Sequence, residues 1–407
     1  MRSINMPGLT LQFQGPPGDN YWHSIIISVL RGLAALIVAA AHLRAEMYHG
    51  LRTIAEPSMW FQVFAFFTGF AHQAVLVFFV ISGWLVGGSL ISKMGQPGAM
   101  RSYAIDRVTR LWTVLIPTFA LTLLLGIASG VVHPGMIDFS PANEFSGIAF
   151  LGNLLGLQGI VLADFGGNYA LWSLANESWY YIMFPVLLLV FTARRVASRV
   201  ASGAVLALAV ILLPVEIVIY FAIWLLGVAF SRIRIDCERW MRVVWLVPLV
   251  TASAYFRLTA NNDKFDQTTL GMDLLLSLMF LALLSSLQFK ASPTSIMAQP
   301  LMRAGTFFAN FSFSLYVLHL PMIFLFKHLA STQLGLRQFT PDEPLHFALY
   351  LGMLICLLLG AYLSYLLFES QTYRIRRIVK SLVARRAVPP VATPATAAAA
   401  AAASTKR

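Results

Sequence analysis

The chain has 407 residues, of which 58% are hydrophobic and only 11% charged, against about 25% charged in an ordinary soluble domain. So little charge excludes a water-soluble fold, which has no means of hiding that much apolar surface. The net charge of +12 comes from short basic stretches between apolar runs, so it argues for a membrane and against a nucleic-acid partner.

Residues 1–20 lack the basic-then-apolar order of a secretory signal and are expected to form a cytoplasmic tail. A helix needs about 20 apolar residues to cross about 30 Å of hydrocarbon. Ten runs meet or approach this: 24–43, 72–91, 111–131, 171–192, 199–213, 215–231, 242–257, 270–289, 306–328 and 345–368. The runs 199–213 and 215–231 are short and flank Pro214, so they read as two spans or one interrupted hairpin. The Gly-rich stretch 146–162 reads as a re-entrant or interfacial segment, with a full span as the alternative. The fold expected is all-α: a polytopic integral membrane protein of about ten transmembrane helices. With the N-terminus inside, the cytoplasmic segments hold 22 of the Lys and Arg residues and the outer segments 6, with Arg31 inside the first helix. That asymmetry puts both termini in the cytoplasm. The transmembrane domain is expected over 21–373. After it, 374–407 reads as a tail, basic and then Pro/Ala-rich, expected to be disordered. Cys237 and Cys356 lack the spacing of a zinc site or a disulfide framework, and no metal is expected.

An ionisable side chain within a span is costly and therefore a functional candidate. The first helix holds Arg31 and His42. Eleven residues bring them to one face, separated by about 16 Å along the axis. The second carries Ser82-Gly83-Trp84. The third is entered through Arg107-Val108-Thr109-Arg110, two arginines three apart and so neighbours on one face, a two-pronged anion site. The fourth begins Leu171-Trp172-Ser173-Leu174-Ala175-Asn176-Glu177. The ninth reads Phe311-Ser312-Phe313-Ser314-Leu315-Tyr316-Val317-Leu318-His319, with Pro321 just beyond. Depths counted from the ends of these runs place His42, Ser82, Glu177 and His319 in one layer of the outer half, with a His–Glu pair suited to general base work on a hydroxyl. Arg31, Arg107 and Arg110 form a cationic layer on the cytoplasmic side, about 15 Å away.

These five segments resemble the membrane-bound acyltransferase 3 family: an Arg-Gly opening helix ending in His, Phe-Phe-x-Ile-Ser-Gly, Arg-x-x-Arg before a Pro, Trp-Ser-Leu-x-x-Glu, and Ser-x-Ser-Leu-Tyr-x-x-His. The resemblance runs from about residue 20 to 373, through Tyr365-Leu366-Leu367-Phe368-Glu369. The chain differs in having Ser28-Val29 where Asp-Gly is common, Trp84 where Phe is usual, and Tyr180-Tyr181 in place of Phe-Tyr. The resemblance implies ten core helices and transfer of an acyl group, usually acetyl from acetyl-CoA, to a hydroxyl of an extracytoplasmic carbohydrate or lipid-linked glycan. It gives His42 the catalytic or acyl-relay role and Glu177 a place beside it. Arg31, Arg107 and Arg110 are assigned to the donor, with Ser82, Ser173, Tyr316 and His319 in support. Acyl-CoA then acts as a substrate, no cofactor is bound permanently, and the other partners are the acceptor and membrane lipid. The expected location is a bacterial inner (plasma) membrane. With no hydrolase-like domain at the C-terminus, the acceptor is expected to be acylated directly or with the help of another protein. Intramembrane His, Glu and Arg would also suit a transporter or flippase of an anionic or lipid-linked molecule, the alternative function.

Overall fold

The computed structural model describes residues 3–6, 9–13, 22–259, 265–290 and 298–387. In chain order its helices are α1 (Trp22–Met47), α2 (Met59–Phe67), α3 (Ala71–Ser82), α4 (Gly88–Lys93), α5 (Ala99–Ala128), α6 (Gly147–Leu154) and α7 (Leu171–Thr192). They continue with α8 (Val196–Leu212), α9 (Val215–Phe230), α10 (Arg239–Thr259), α11 (Leu270–Ser286), α12 (Ala298–Gln333), α13 (Pro344–Leu367) and α14 (Thr372–Ala387). Helix is the natural outcome for such apolar runs, because it satisfies every backbone group within the segment when no water is at hand. Among the described residues, seven helical stretches are long and apolar enough to cross a membrane: Trp22–Met47, Met59–Lys93, Ala99–Ala128, Leu171–Thr192, Arg239–Thr259, Ala298–Gln333 and Pro344–Ala384. Three shorter apolar helices, α8, α9 and α11, fall on three further runs read from the sequence. Leu213 is extended before Pro214, as the proline ring requires, and this separates α8 from α9 as two helices.

The most extensive helix packing in the bundle is α1 with α12. A Cβ on Gly32 would fall 2.4 Å from Phe308 Cβ, and one on Gly305 would fall 2.6 Å from Val29 Cγ2, so these glycines let two backbones approach closely. The pairings Val29–Gly305, Gly32–Phe308 and His42–His319 all advance together along both helices. The two helices are therefore parallel, held in one register over their length. A second tight contact joins the π-helical turn Gly83–Gly87, which links α3 to α4, with α9. There a Cβ on Gly83 would lie 2.0 Å from the carbonyl oxygen of Trp224.

The described parts of both chain ends lie at one end of the bundle. Strands β1 (Ser3–Met6) and β2 (Leu9–Phe13) form an antiparallel hairpin that continues onto β3 (Ile233–Cys237), the connection after α9. Arg232, just before β3, donates to Gly88 O and Ser92 Oγ of α4, both at 2.7 Å. Helix α14 docks on the start of α5, where Lys380 Nζ meets Asp106 Oδ1 at 2.6 Å. Part of the N-terminal tail is thus a hairpin completing a small sheet, and one expectation is corrected: residues 374–387 are helix rather than disordered. The disorder expected for the Pro/Ala stretch falls almost wholly on 388–407, outside the described residues.

At the opposite end, α6 has eight residues and rises about 12 Å, far short of a span. The chain after it folds into the bundle. Phe165 and Asn168 are buried, and Asn168 Nδ2 donates to Val317 O at 2.9 Å. This matches the re-entrant reading of 146–162 and extends it to Ala170. Asp164 sits in this inserted segment; burial, aided by the nearby Glu144, pushes its carboxyl up to about 6.

Candidate active site

Arg31 of α1 and Arg107 and Arg110 of α5 line one cavity of about 230 Å³. Among the described residues, no carboxylate lies within 4 Å of any of the three. Aromatic faces take the place of counter-ions: the guanidinium carbon of Arg107 is 5.6 Å from the Tyr181 ring centre, and that of Arg110 is 6.0 Å from the Phe313 ring centre. Three guanidiniums converge on this cavity without a direct ion pair, facing Glu177 and Glu369 only at longer range, an arrangement able to hold a multiply charged anion.

Glu177 lines the same cavity. Its Oε1 accepts from Ser82 Oγ at 2.5 Å and from Tyr181 OH, while Trp224 Nε1 donates to Ser82 Oγ at 3.2 Å. A second carboxylate, Glu369, accepts from the backbone N–H and hydroxyl of Ser314 at 3.1 and 2.7 Å, which ties the end of α13 to α12.

His42 lies in a different setting. Its Nδ1 is 2.8 Å from His319 Nε2, and His319 Nδ1 is 2.6 Å from the carbonyl oxygen of Tyr316. A carbonyl can only accept, so His319 carries its proton on Nδ1. In the uncharged pair, His319 Nε2 is then the acceptor and His42 Nδ1 the donor. The lone pair of His42 is left on Nε2. The hydrogen-bonded line from Tyr316 O through His319 thus fixes both tautomer and ring orientation, as the third member of a catalytic triad does. His42 lines a second cavity of about 510 Å³, together with Trp172, Phe265 and His72. Tyr316 and Val75 line both cavities and form the wall between them. The Tyr316 hydroxyl contacts Ser173 Oγ and donates to Ala170 O at 3.2 Å.

Eight of the nine residues singled out from sequence thus line two adjoining cavities, and the ninth, His319, sits behind them on His42; the grouping differs from the one expected. The His42–Glu177 pair does not form: His42 pairs with His319, and Glu177 joins the arginine cavity with Ser82. The single outer layer is therefore corrected to two levels. The cause is the start of α7. Ala170 and Asn168 are buried beside Tyr316 and Val317, so α7 begins inside the bundle and not at its surface. Depth counted inward from a surface start misplaces Glu177. The site also contains residues that the sequence reading did not assign. In the sequence Tyr181 stands out only as a departure from the Phe-Tyr pattern, and Glu369, which lies near Arg31 and Arg110, only as the end of a motif. His72 is a third, its Nε2 meeting Asp273 Oδ1 at 2.8 Å with both side chains wholly buried. Its position in the first turn of α3 resembles an ordinary interfacial histidine, and its partner is 201 residues away.

The family model described as an acyltransferase domain, of the acyltransferase 3 type, matches residues 25–369, most of the chain. The chain belongs to the acyltransferase 3 family. Its domain is that of an acyltransferase moving groups other than aminoacyl groups, and with the long apolar helices it is a multi-pass membrane protein. Similarity also extends to a Haemophilus influenzae protein described as uncharacterized, 33% identical over 120 residues, which cover 28% of this chain and 47% of that protein. The chain thus spans about half the length of the curated relative it matches. No solved structure matches it.

Proposed function

We propose that the protein is an integral membrane O-acyltransferase that takes an acyl group, most simply acetyl, from acyl-CoA at the cytoplasmic end of the bundle. It passes the group to a hydroxyl of an extracytoplasmic carbohydrate or lipid-linked glycan. The observation that carries this reading is the placement of Arg31, one of the three cavity arginines, and of the oriented His42 on one face of the same helix. Arg31 and His42 are separated by about 16 Å along α1, close to the reach of a pantetheine arm. A donor held by its phosphates at Arg31, Arg107 and Arg110 can extend its thioester past Tyr316 to His42.

His42 Nε2 takes the proton from the acceptor hydroxyl as its oxygen attacks the thioester carbonyl carbon. The carbon–sulfur bond breaks, and the leaving thiolate takes the proton from His42 Nε2, so CoA departs as the free thiol. His319 holds the His42 ring throughout. Glu177 stays in the arginine cavity, where with Ser82 and Tyr181 it shapes the donor channel.

A span count of ten supports the topology. The parallel packing of α1 and α12 requires an odd number of crossings between them. The four long helical stretches between them would make the pair antiparallel; adding α8, α9 and α11 gives seven crossings and restores the observed direction. Excess Lys and Arg on the side that holds both described chain ends supports a cytoplasmic assignment for that side, and a bacterial inner membrane is the location proposed.

The test uses inside-out membrane vesicles carrying the protein, labelled acetyl-CoA outside and a candidate glycan within. Label is expected in the glycan with the wild type and not with His42→Ala inserted at the same level. Full transfer by His42→Ala sinks the mechanism. Passage of the intact glycan across the membrane, with no label in it, identifies a transporter instead.

A further inference from the structure

The basic charge near the arginine cavity does not end with the matched domain at residue 369. Asp106, Thr109 and Arg110 are related as i, i+3 and i+4 on α5 and share one face, with Arg107 beside them. Arg376, on α14, lies over that face. Its Nε is 3.4 Å from Asp106 Oδ1 and 3.5 Å from Thr109 Oγ1, and a terminal nitrogen is 3.5 Å from the Asp106 carbonyl oxygen. Its guanidinium thus stands at the turn that carries both site arginines.

The counter-charge there is insufficient. Lys380 Nζ reaches the same Asp106 Oδ1 at 2.6 Å and is fixed by Ser102 Oγ at 2.7 Å, so the shorter contact commits that carboxylate to Lys380. Arg376 shares a carboxylate that is already neutralised, while Arg107 and Arg110 have none within 4 Å among the described residues. Docking of α14 therefore brings Arg376 close to Arg107 and Arg110, a repulsion that a bound anion would relieve. The Arg376 side chain is 26% exposed, open enough for a ligand to reach.

We propose that Arg376 is a donor-binding residue that recognises the ribose 3′-phosphate of CoA, the outermost phosphate of a donor whose thioester points to His42. The proposal rests on the acyl-CoA reading above. Order along the path makes the assignment. His42 is deepest and takes the thioester; Arg31, Arg107 and Arg110 follow and take the diphosphate. Arg376 reaches the same turn of α5 from α14 without lining the cavity, and the nucleotide end is assigned to that flank. A guanidinium matches a phosphomonoester through two parallel N–H donors, and its loss costs more than loss of a point charge.

The experiment is a cycle of protein and ligand. Binding of CoA and of 3′-dephospho-CoA is measured on the full-length protein, wild type and Arg376→Gln, in neutral detergent and again in vesicles with and without anionic lipid. Wild type is expected to bind CoA more tightly than the dephospho form by about 10-fold or more, as a charge-assisted pair of hydrogen bonds gives. Arg376→Gln should bring CoA down to the level of dephospho-CoA and leave dephospho-CoA unchanged. Arg376→Lys should restore part of the difference, and Lys380→Gln should lower thermal stability while preserving the discrimination between ligands. If Arg376→Gln weakens both ligands equally, the residue only docks α14 and the proposal fails. It fails also if neither ligand is affected, or if the difference appears only with anionic lipid, which would make Arg376 a lipid contact. Absence of binding of either ligand to the wild type removes the acyl-CoA reading itself, and this inference with it.

Discussion

The line of hydrogen bonds from Tyr316 O to His319 to His42 makes a demand on the chemistry that His319→Phe tests directly. Phenylalanine keeps a ring in a fully buried position on α12, but it has no acceptor for His42 Nδ1–H. The donor left without a partner costs about 1–3 kcal/mol. His42 escapes that cost by turning its ring or moving its proton to Nε2, and either change removes the lone pair from the reaction. At about 1.4 kcal/mol per tenfold in rate, kcat should fall by about 5- to 150-fold. The KM for acyl-CoA should change little, because the phosphates bind at the arginine level, more than two helical turns away along α1. The assay is initial rate of label transfer in detergent or vesicles against acyl-CoA concentration, with thermal unfolding run in parallel to confirm that the variant is folded. A folded His319→Phe protein with wild-type kcat would refute the claim that His319 aligns His42. An unchanged kcat with a raised KM would move His319 to the donor site.

Three other outcomes follow from the geometry. Arg107→Ala and Arg110→Ala should each weaken acyl-CoA binding by about 10-fold or more, the value of one charge-assisted contact; titration calorimetry showing wild-type affinity would take that residue out of the donor site. Gly83→Val places side-chain atoms where a Cβ alone lies 2.0 Å from the Trp224 carbonyl oxygen, so α3 and α9 must separate, at a cost of about 1–3 kcal/mol or more. An unchanged melting temperature in detergent would show that this crossing is not close. Asp164 has a folded value of about 6 against 3.8, raised by burial and then by Glu144. Protonation therefore favours the folded protein, and stability is gained as the pH falls through 6 and lost above it. Asp164→Asn should raise the melting temperature more at pH 7.5 than at pH 4.5, and equal gains at both would remove burial as the cause.

The sequence made some of this legible because lipid leaves the chain few choices. Long apolar runs become helices, and a charged residue within one is conspicuous. Arg31, Arg107, Arg110, His42 and His319 were found that way, and each lines or supports a cavity. What it could not supply was the depth of α7. The segment 163–170, between the re-entrant stretch and the next apolar run, carries Gly and polar residues with nothing local to mark it as buried. Its burial depends on contacts such as Asn168 with Val317, 149 residues away, and no local pattern encodes those. The pairing of His72 with Asp273 was hidden for the same reason. Helix α14 was missed differently: Arg374 to Arg377 read as a solvated basic tail, and only Asp106 on α5 gives those charges a reason to dock.

Two levels on one rigid helix pair carry a consequence for specificity. Gly32 and Gly305 lock α1 against α12, so the distance from the arginine level to His42 is set by helix rise and cannot adjust to the donor. A fixed distance selects for arm length and leaves the acyl group as the variable part. That group must pass Tyr316, whose hydroxyl is tied to Ser173 and Ala170 and whose ring forms the wall between the cavities. A small acyl group needs little displacement of this wall, whereas a long chain would have to break both contacts. On the acyl-CoA reading proposed above, the tie that separates the two cavities would favour acetyl over larger groups, independently of the phosphate contacts.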